Sequence, residues 1–427
     1  MEIIETSDYY QVQKHPTSKK LLVICSSLDT RHPKFTFWKL AQKLECNCLF
    51  LNSPMTHWYR TGIIGVDGGL PGITKKISDV RTSLGIEETI FFGVSMGAYG
   101  AILLGSLSKA DHIIAFSVEP LLGVPGGRTE VTRNHLQPVY PDLRVLDIPK
   151  ISLIYGEMDI SDAIGAQLLS EACKDISVYR IPYAEHDVAN SLNYRDELVP
   201  LLLNLINSDS VQNNSLLYGP SPKNVFDTLH KINNDYLGHK WKSVLVHIER
   251  NIGLLTNSLL LTFIYAACKY KLGQYEESKS MLIELLKREK QIPHAWNLLS
   301  SCEQRLKSYE RSVVASDIAI KLKPTYSLFH MSKCTSLLKL GMINEAYKEV
   351  KAAGMLNPRH KPYIDQINRL EVELNYPLST EESLRQEKED SNLMKILNQE
   401  FDNTEAQSFD LKYFTQSMAP KLIAGAC

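Results

Sequence analysis

Residues 89 to 101 read TIFFGVSMGAYGA, and the fold is decided there. An apolar run of strand length gives way, at Gly93-Val94-Ser95-Met96-Gly97, to a segment of small residues with helical character. A strand that turns straight into a helix forces the corner residue into a strained conformation. Only small neighbours permit it, which accounts for a glycine two positions before Ser95 and another two after. A serine on such a corner sits at the carboxyl edge of a sheet and at a helix N-terminus. Free N–H groups and the helix dipole there favour developing negative charge, which makes Ser95 the candidate nucleophile.

The flanking sequence supplies the sheet. LLVICSS (21 to 27), CLFLN (48 to 52), TIFFGV (89 to 94), HIIAFSV (112 to 118), ISLIYG (151 to 156) and VYRIP (178 to 182) read as strands. Their near-continuous hydrophobicity suits strands covered on both faces by helices. Segments around 34 to 45, 71 to 85, 96 to 108, 161 to 174 and 189 to 206 have helical length and periodicity. The expectation is a doubly wound, mainly parallel α/β sheet.

A serine hydroxyl needs a base to become a nucleophile at neutral pH, and the base needs an acid to orient it. ISLIYG is followed by Glu157-Met158-Asp159, and VYRIP by Tyr183-Ala184-Glu185-His186. Over residues 20 to 207 this order resembles the α/β-hydrolase superfamily: Ser95, an acid after the penultimate strand, a histidine after the last. The resemblance implies Asp159 as the acid and His186 as the base, with Glu157 and Asp162 as rivals in the same loop. Asp162 is also a candidate cap for the following helix. For the oxyanion, Met96 offers the backbone N–H next to the nucleophile. The second donor is expected from Ser26-Ser27-Leu28-Asp29, at Leu28 or Ser27, although this loop lacks the glycine of the superfamily's His-Gly segment.

The loop of residues 53 to 69, with His57, Trp58, Tyr59 and four glycines, is long enough to wall a substrate site, which nominates Trp58 and Tyr59 as substrate-binding residues. A second insertion, between Glu119 and Leu146, contains Gly123, Gly126, Gly127 and Arg128 and has the size of a small lid. Gly65-Val66-Asp67-Gly68-Gly69 lacks the Lys and Ser/Thr of a phosphate loop. No His/Asp/Glu/Cys cluster has ligand spacing, so neither a metal nor a cofactor is implied.

Beyond Ile206 the character changes. NSDSVQNNSLLYGPSPKN is polar, and the chain after it is helical in pattern and repetitive. Gly273, Lys307 and Gly341 recur at an interval of about 34 residues, as do Ser278, Ser312 and Ala346, and Ala266, Ser300 and Cys334. Pro324 and Pro358 close two of the units. This resembles the tetratricopeptide repeat, whose paired helices need small residues where they cross. Trp296 stands where that repeat favours Trp, with Thr262 and His330 at the neighbouring positions. The predicted organisation is an α/β-hydrolase domain over 1–207, a linker over 208–222, helical repeats over 223–376 and an acidic tail over 377–427.

The N-terminus has no secretory features, no apolar run has transmembrane length, and eight cysteines are scattered without paired spacing. The expectation is a cytoplasmic protein with no transmembrane segment. With 47 basic and 48 acidic side chains, nothing suggests binding to nucleic acid. The reading is a serine hydrolase that cleaves an ester, thioester or amide of an acylated small molecule, glycan or peptide. The repeats would hold a protein or peptide partner. The alternatives are an O-acyltransferase or deacetylase acting on a glycan or glycoprotein, a peptidase, or an inactive interaction scaffold. The WYxxG stretch with GVSMGAYGA is similar to hydrolase-like proteins of bacterial surface-polysaccharide and glycoprotein modification.

Overall fold

The computed structural model describes residues 1–28, 30–54, 57–123, 129, 140–207 and 217–390. The chain divides into two compact units, Met1–His239 and Lys240–Cys427.

The first unit is built on eight strands: β1 (Glu2–Thr6), β2 (Tyr10–Lys14), β3 (Lys20–Cys25), β4 (Asn47–Leu51), β5 (Glu88–Val94), β6 (His112–Phe116), β7 (Ile151–Gly156) and β8 (Ile176–Ile181). They form one sheet in the order β1-β2-β4-β3-β5-β6-β7-β8. All pairs from β4 to β8 are parallel, whereas β1 with β2 and β2 with β4 are antiparallel. The six strands read from the sequence are all present. The antiparallel pair was not anticipated, because EIIET and YQVQK are short and rich in polar residues, lying on a half-exposed edge that needs no continuous apolar run. In β3, β4, β6 and β7 nearly every residue is buried, as continuous apolar runs demand.

Among the described residues six α-helices accompany the sheet up to Asn207: α1 (Trp38–Ala41), α2 (Gly69–Leu84), α3 (Met96–Leu107), α4 (Ile160–Ala172), α5 (Val188–Asn193) and α6 (Leu198–Asn207). The helix expected over 34 to 45 shrinks to the single turn of α1. That expected over 189 to 206 breaks into α5 and α6, around Asp196 at φ 55°. β3 hydrogen-bonds to both β4 and β5, so the chain winds outward from β3 in both directions. Ligands of open α/β sheets bind at the carboxyl ends of strands beside such a reversal, and Ser95 ends β5 there.

The first unit extends further than the sequence suggests. Helix α7 (Lys223–Leu237), assigned from sequence to the repeats, belongs to the α/β unit. Its Phe226 ring lies 6.4 Å from that of Tyr155 on β7. Just before it, Ser221 Oγ lies 3.2 Å from the Tyr155 hydroxyl, and Tyr218 pairs with Arg180 of β8. An amphipathic helix records that one face is buried, not against which core. The stretch of the expected linker from 208 to 216 lies outside the described residues, as does the tail beyond 390 with Cys427.

The second unit is helical: α8 (Trp241–Glu249), α9 (Leu259–Lys271), α10 (Tyr275–Arg288), α11 (Pro293–Arg305), α12 (Tyr309–Leu322), α13 (Ser327–Lys339), α14 (Ile343–Leu356), α15 (Lys361–Leu374) and α16 (Glu381–Asp390). The hairpins α9/α10, α11/α12 and α13/α14 are the three repeats, and this region resembles tetratricopeptide repeats. Their turns place Gly273, Lys307 and Gly341 in the left-handed region, at φ 82°, 61° and 75°. The register residues Ala266, Ser300, Cys334, Ser278, Ser312 and Ala346 are fully buried, so helices approach closely where small residues coincide. Ser278 Oγ donates to the Ala266 carbonyl at 2.7 Å, and Ser300 and Ser312 Oγ are 2.8 Å apart. Trp296 Nε1 donates to the Lys290 carbonyl. At the equivalent positions Thr262 donates to the Leu255 and Ser258 carbonyls, and His330 bridges Glu349 and the Pro324 carbonyl. Among the described residues no helix is long and apolar enough to cross a membrane.

Candidate active site

The corner between β5 and α3 explains the glycines of its motif. Ser95 sits at φ 55° and ψ −119°, a conformation that costs a non-glycine residue free energy. Its N–H donates to the Phe116 carbonyl at 2.9 Å. A Cβ on Gly93 would stand 2.1 Å from the Gly97 carbonyl oxygen, and one on Gly97 would stand 2.2 Å from the Cys25 carbonyl oxygen. The first glycine lets the turn close on itself. The second brings the start of α3 against the end of β3, which carries the Ser26–Leu28 loop.

A similar stitch joins the loops after β7 and β8. A Cβ on Gly156 would stand 2.2 Å from the Glu185 carbonyl oxygen, so only glycine lets the two loops touch. Met158 N–H donates to the Ala184 carbonyl and Glu157 N–H to that of Ile181. His186 is thereby held against the start of α4. Its Nε2 is 2.8 Å from Ser95 Oγ, and its Nδ1 is 2.8 Å from Oδ1 of Asp162. With a proton on Nδ1 shared with the carboxylate, Nε2 is left to accept the serine hydroxyl proton.

The acid facing the imidazole is therefore Asp162, which corrects the assignment of Asp159. Asp159 is the N-cap of α4: its Oδ1 accepts from the N–H groups of Ser161 and Asp162, at 2.9 and 3.0 Å. That fixes the first turn and leaves the side chain of Asp162 to reach His186. Aspartate followed three positions later by an acid just before a helix has the spacing of a helix-start signature, and this was the signal that could have separated the two. Glu157, the other rival, is ion-paired with Arg180. Asp162 is 4% exposed, and among the described residues its Oδ2 has no hydrogen-bond partner, so the carboxylate relies on His186. Asp159, Asp162 and His186 offer potential metal-ligand atoms within 4.8 Å of one another. Both His186 nitrogens in that group are already engaged by Ser95 and Asp162.

Met96 opens α3, where the first N–H groups lack intrahelical acceptors. Of the two candidates for the second oxyanion donor, Ser27 is removed: its N–H donates to Thr36 Oγ1 at 3.1 Å. Among the described residues the Leu28 N–H has no acceptor, and it remains the candidate donor on that loop.

Trp58 and Tyr59 do not face a substrate site, which is a second correction. Tyr59 is fully buried. Its hydroxyl donates to the Ser26 carbonyl at 2.7 Å, and a Cβ on Gly100 would strike its ring at 2.4 Å. Trp58 is 3% exposed and meets Tyr99 edge-on with centroids 5.6 Å apart. Both rings underpin α3 and the Ser26 loop; their apolar area is more stabilising inside than on display. The expected lid has feet that pair at Leu121 and Asp142. Gly123 lies among the described residues, whereas Gly126, Gly127 and Arg128 lie outside them.

No family model matches this chain, and no curated protein matches it. Among solved structures it is similar to the capsule O-acetyltransferase of Neisseria meningitidis serogroup A, at 16% identity over 45% of this chain and 90% of that one, with a TM-score of 0.34. It is also similar to the type III secretion chaperone SycD of Yersinia enterocolitica in complex with a peptide of the translocator YopD, at 18% identity over 27% of this chain and 87% of that one, TM-score 0.24. A third similarity is to MamA of Desulfovibrio magneticus, at 10% identity over 43% of this chain and 99% of that one, TM-score 0.34.

Proposed function

We propose that the first unit is a serine-dependent acyl-transfer enzyme of the α/β-hydrolase kind, with Ser95 as nucleophile, His186 as general base and Asp162 as the orienting acid. The observation that carries this reading is the unbroken relay Ser95 Oγ, His186 Nε2, His186 Nδ1 and Asp162 Oδ1, linked by two contacts of 2.8 Å.

The chemistry follows from that order. His186 takes the Ser95 proton as Oγ attacks an acyl carbonyl, and Asp162 stabilises the imidazolium that results. The carbonyl oxygen, now negative, is met by the Met96 N–H at the start of α3 and by the Leu28 N–H. His186 returns the proton to the leaving group. The acyl-serine then passes to water, in a hydrolase, or to a hydroxyl acceptor, in a transferase. The same residues serve both outcomes, because only the second nucleophile differs.

The second unit, on this reading, binds a protein or peptide partner. Stacked helix hairpins present an extended concave face of the sort that holds peptide segments.

The test is hydrolysis of nitrophenyl esters of graded chain length by wild-type protein, Ser95→Ala and His186→Ala, with and without added sugar hydroxyl acceptors. The proposal expects turnover that falls by at least three orders of magnitude in either variant. Turnover unaltered in Ser95→Ala would remove Ser95 from the mechanism.

A further inference from the structure

A cleft of about 770 Å³ opens in the first unit between residues 33 to 43 on one wall and residues of α5 and α6 on the other. Each wall is connected to an element of the candidate site. α5 begins just beyond His186. On the opposite wall Thr36 accepts the Ser27 N–H, and its own N–H donates to Ser26 Oγ at 3.1 Å. The lining is thus tied to the Ser26–Leu28 loop through Thr36, and through α5 it follows His186 in the chain.

Its walls carry a definite charge. Lys34, Lys39 and Lys43 line it, and among the described residues no carboxylate does. Among the described residues none of the three ammonium groups has an ion-pair partner. In a concave site, charges of one sign raise the local concentration of the opposite ion.

The cleft also has a preset aromatic platform. Trp38 is 38% exposed, and its ring is tethered by one hydrogen bond, from Nε1 to Gln11 Oε1 at 2.8 Å. An indole held in one orientation at a surface binds a flat apolar face with little loss of side-chain freedom. Beside it Phe37 holds a left-handed φ of 62°, secured by packing 5.1 Å from Phe92 of the nucleophile strand. Strain of this sort in a non-glycine residue clusters at ligand sites. Asn190 and Asn193 add amides that both donate and accept.

We infer that this cleft binds an anionic sugar chain, the substrate whose hydroxyl carries or receives the acyl group handled by Ser95. The carbon-bound hydrogens of a pyranose face stack on Trp38, the amides meet ring hydroxyls, and the lysines meet carboxylate or phosphate groups along the chain. An acidic peptide would satisfy the lysines but leave the platform and the amides without a role. The inference rests on the acyl-transfer reading for the step itself. In that step the acyl carbonyl carbon exchanges its bond to Ser95 Oγ for one to a sugar hydroxyl oxygen, or the reverse. His186 takes the proton of the attacking hydroxyl and gives it to the departing oxygen.

Binding is testable without turnover. Full-length Ser95→Ala protein is titrated calorimetrically with a galacturonate hexamer, a phosphorylated mannose hexamer, maltohexaose and hexaglutamate. At least one anionic sugar should bind tenfold or more tightly than both maltohexaose and hexaglutamate, and the better of the two identifies the charged group. The triple variant Lys34→Gln, Lys39→Gln, Lys43→Gln and the single variant Trp38→Ala should each weaken that binding about tenfold, with circular dichroism unchanged. Absence of binding by both anionic sugars, equal binding of hexaglutamate, or binding untouched in the triple variant overturns the inference. Retained sugar binding in a wild-type protein whose Ser95 proves unreactive would instead sink the acyl-transfer reading and leave the cleft standing.

Discussion

Oδ1 of Asp162 lies 2.8 Å from Nδ1 of His186, while Asp159, three residues earlier, caps the helix that carries Asp162. One aspartate builds the element, and the other uses it. Asp162→Asn should lower acyl-transfer kcat by about four orders of magnitude, since an amide favours the wrong imidazole tautomer. Asp159→Asn keeps the cap and should stay within about tenfold of wild type, whereas Asp159→Ala should cost about 1 kcal/mol of stability. Steady-state kinetics with chemical denaturation separates the two residues; equal kinetic damage from both Asn variants would contradict the assignment.

The strained corner at Ser95 was legible because its glycines have a steric cause, and the central strands were legible because a sheet covered on both faces needs unbroken apolar runs. Which aspartate meets His186 was not, because Asp159 and Asp162 fall within one turn and only the cap geometry distinguishes them. Trp58 and Tyr59 misled for a related reason: a glycine-rich loop with aromatics can wall a pocket or wedge beneath a helix, and the close approach at Gly100 decides for the wedge. The lysines and Trp38 around the cleft gave no signal, since nothing in their spacing brings α5 opposite them.

At the corner itself, Gly97→Ala introduces a methyl that would stand 2.2 Å from the Cys25 carbonyl oxygen. Backbone must shift to admit it. We expect a loss of about 1–3 kcal/mol by urea denaturation, together with slower reaction at Ser95 because α3 moves away from the Ser26–Leu28 loop. Unchanged stability would mean that the two backbones are less closely apposed than described.

In the repeats, Lys307 occupies the left-handed turn that Gly273 and Gly341 fill in the neighbouring hairpins. Its Cβ adds strain there. Lys307→Gly should stabilise the second unit by about 0.5–1 kcal/mol, seen as a higher melting temperature; a lower one would show that the lysine makes a contribution of its own.

Alkali should weaken the protein through its buried thiols. Burial raises Cys46 and Cys302 from 9.0 to about 11, and Cys268 and Cys334 to about 12. The folded state keeps these groups neutral while the unfolded chain ionises above about pH 9. Their contribution is therefore complete below pH 9 and is lost as pH climbs towards 11 and 12, by about 1.4 kcal/mol per pH unit for each thiol. Denaturation midpoints between pH 8 and pH 10.5 should fall less steeply when Cys268 and Cys334 are both replaced by alanine.

The central claim is that Ser95, activated by His186, is a working nucleophile. The most direct measurement is covalent labelling of the intact protein by a fluorophosphonate probe, with the adduct located by peptide mass spectrometry. One adduct on Ser95 is expected, absent in Ser95→Ala and slowed at least a hundredfold in His186→Ala. A well-folded wild-type protein that takes no label, or takes it elsewhere than Ser95, would contradict it.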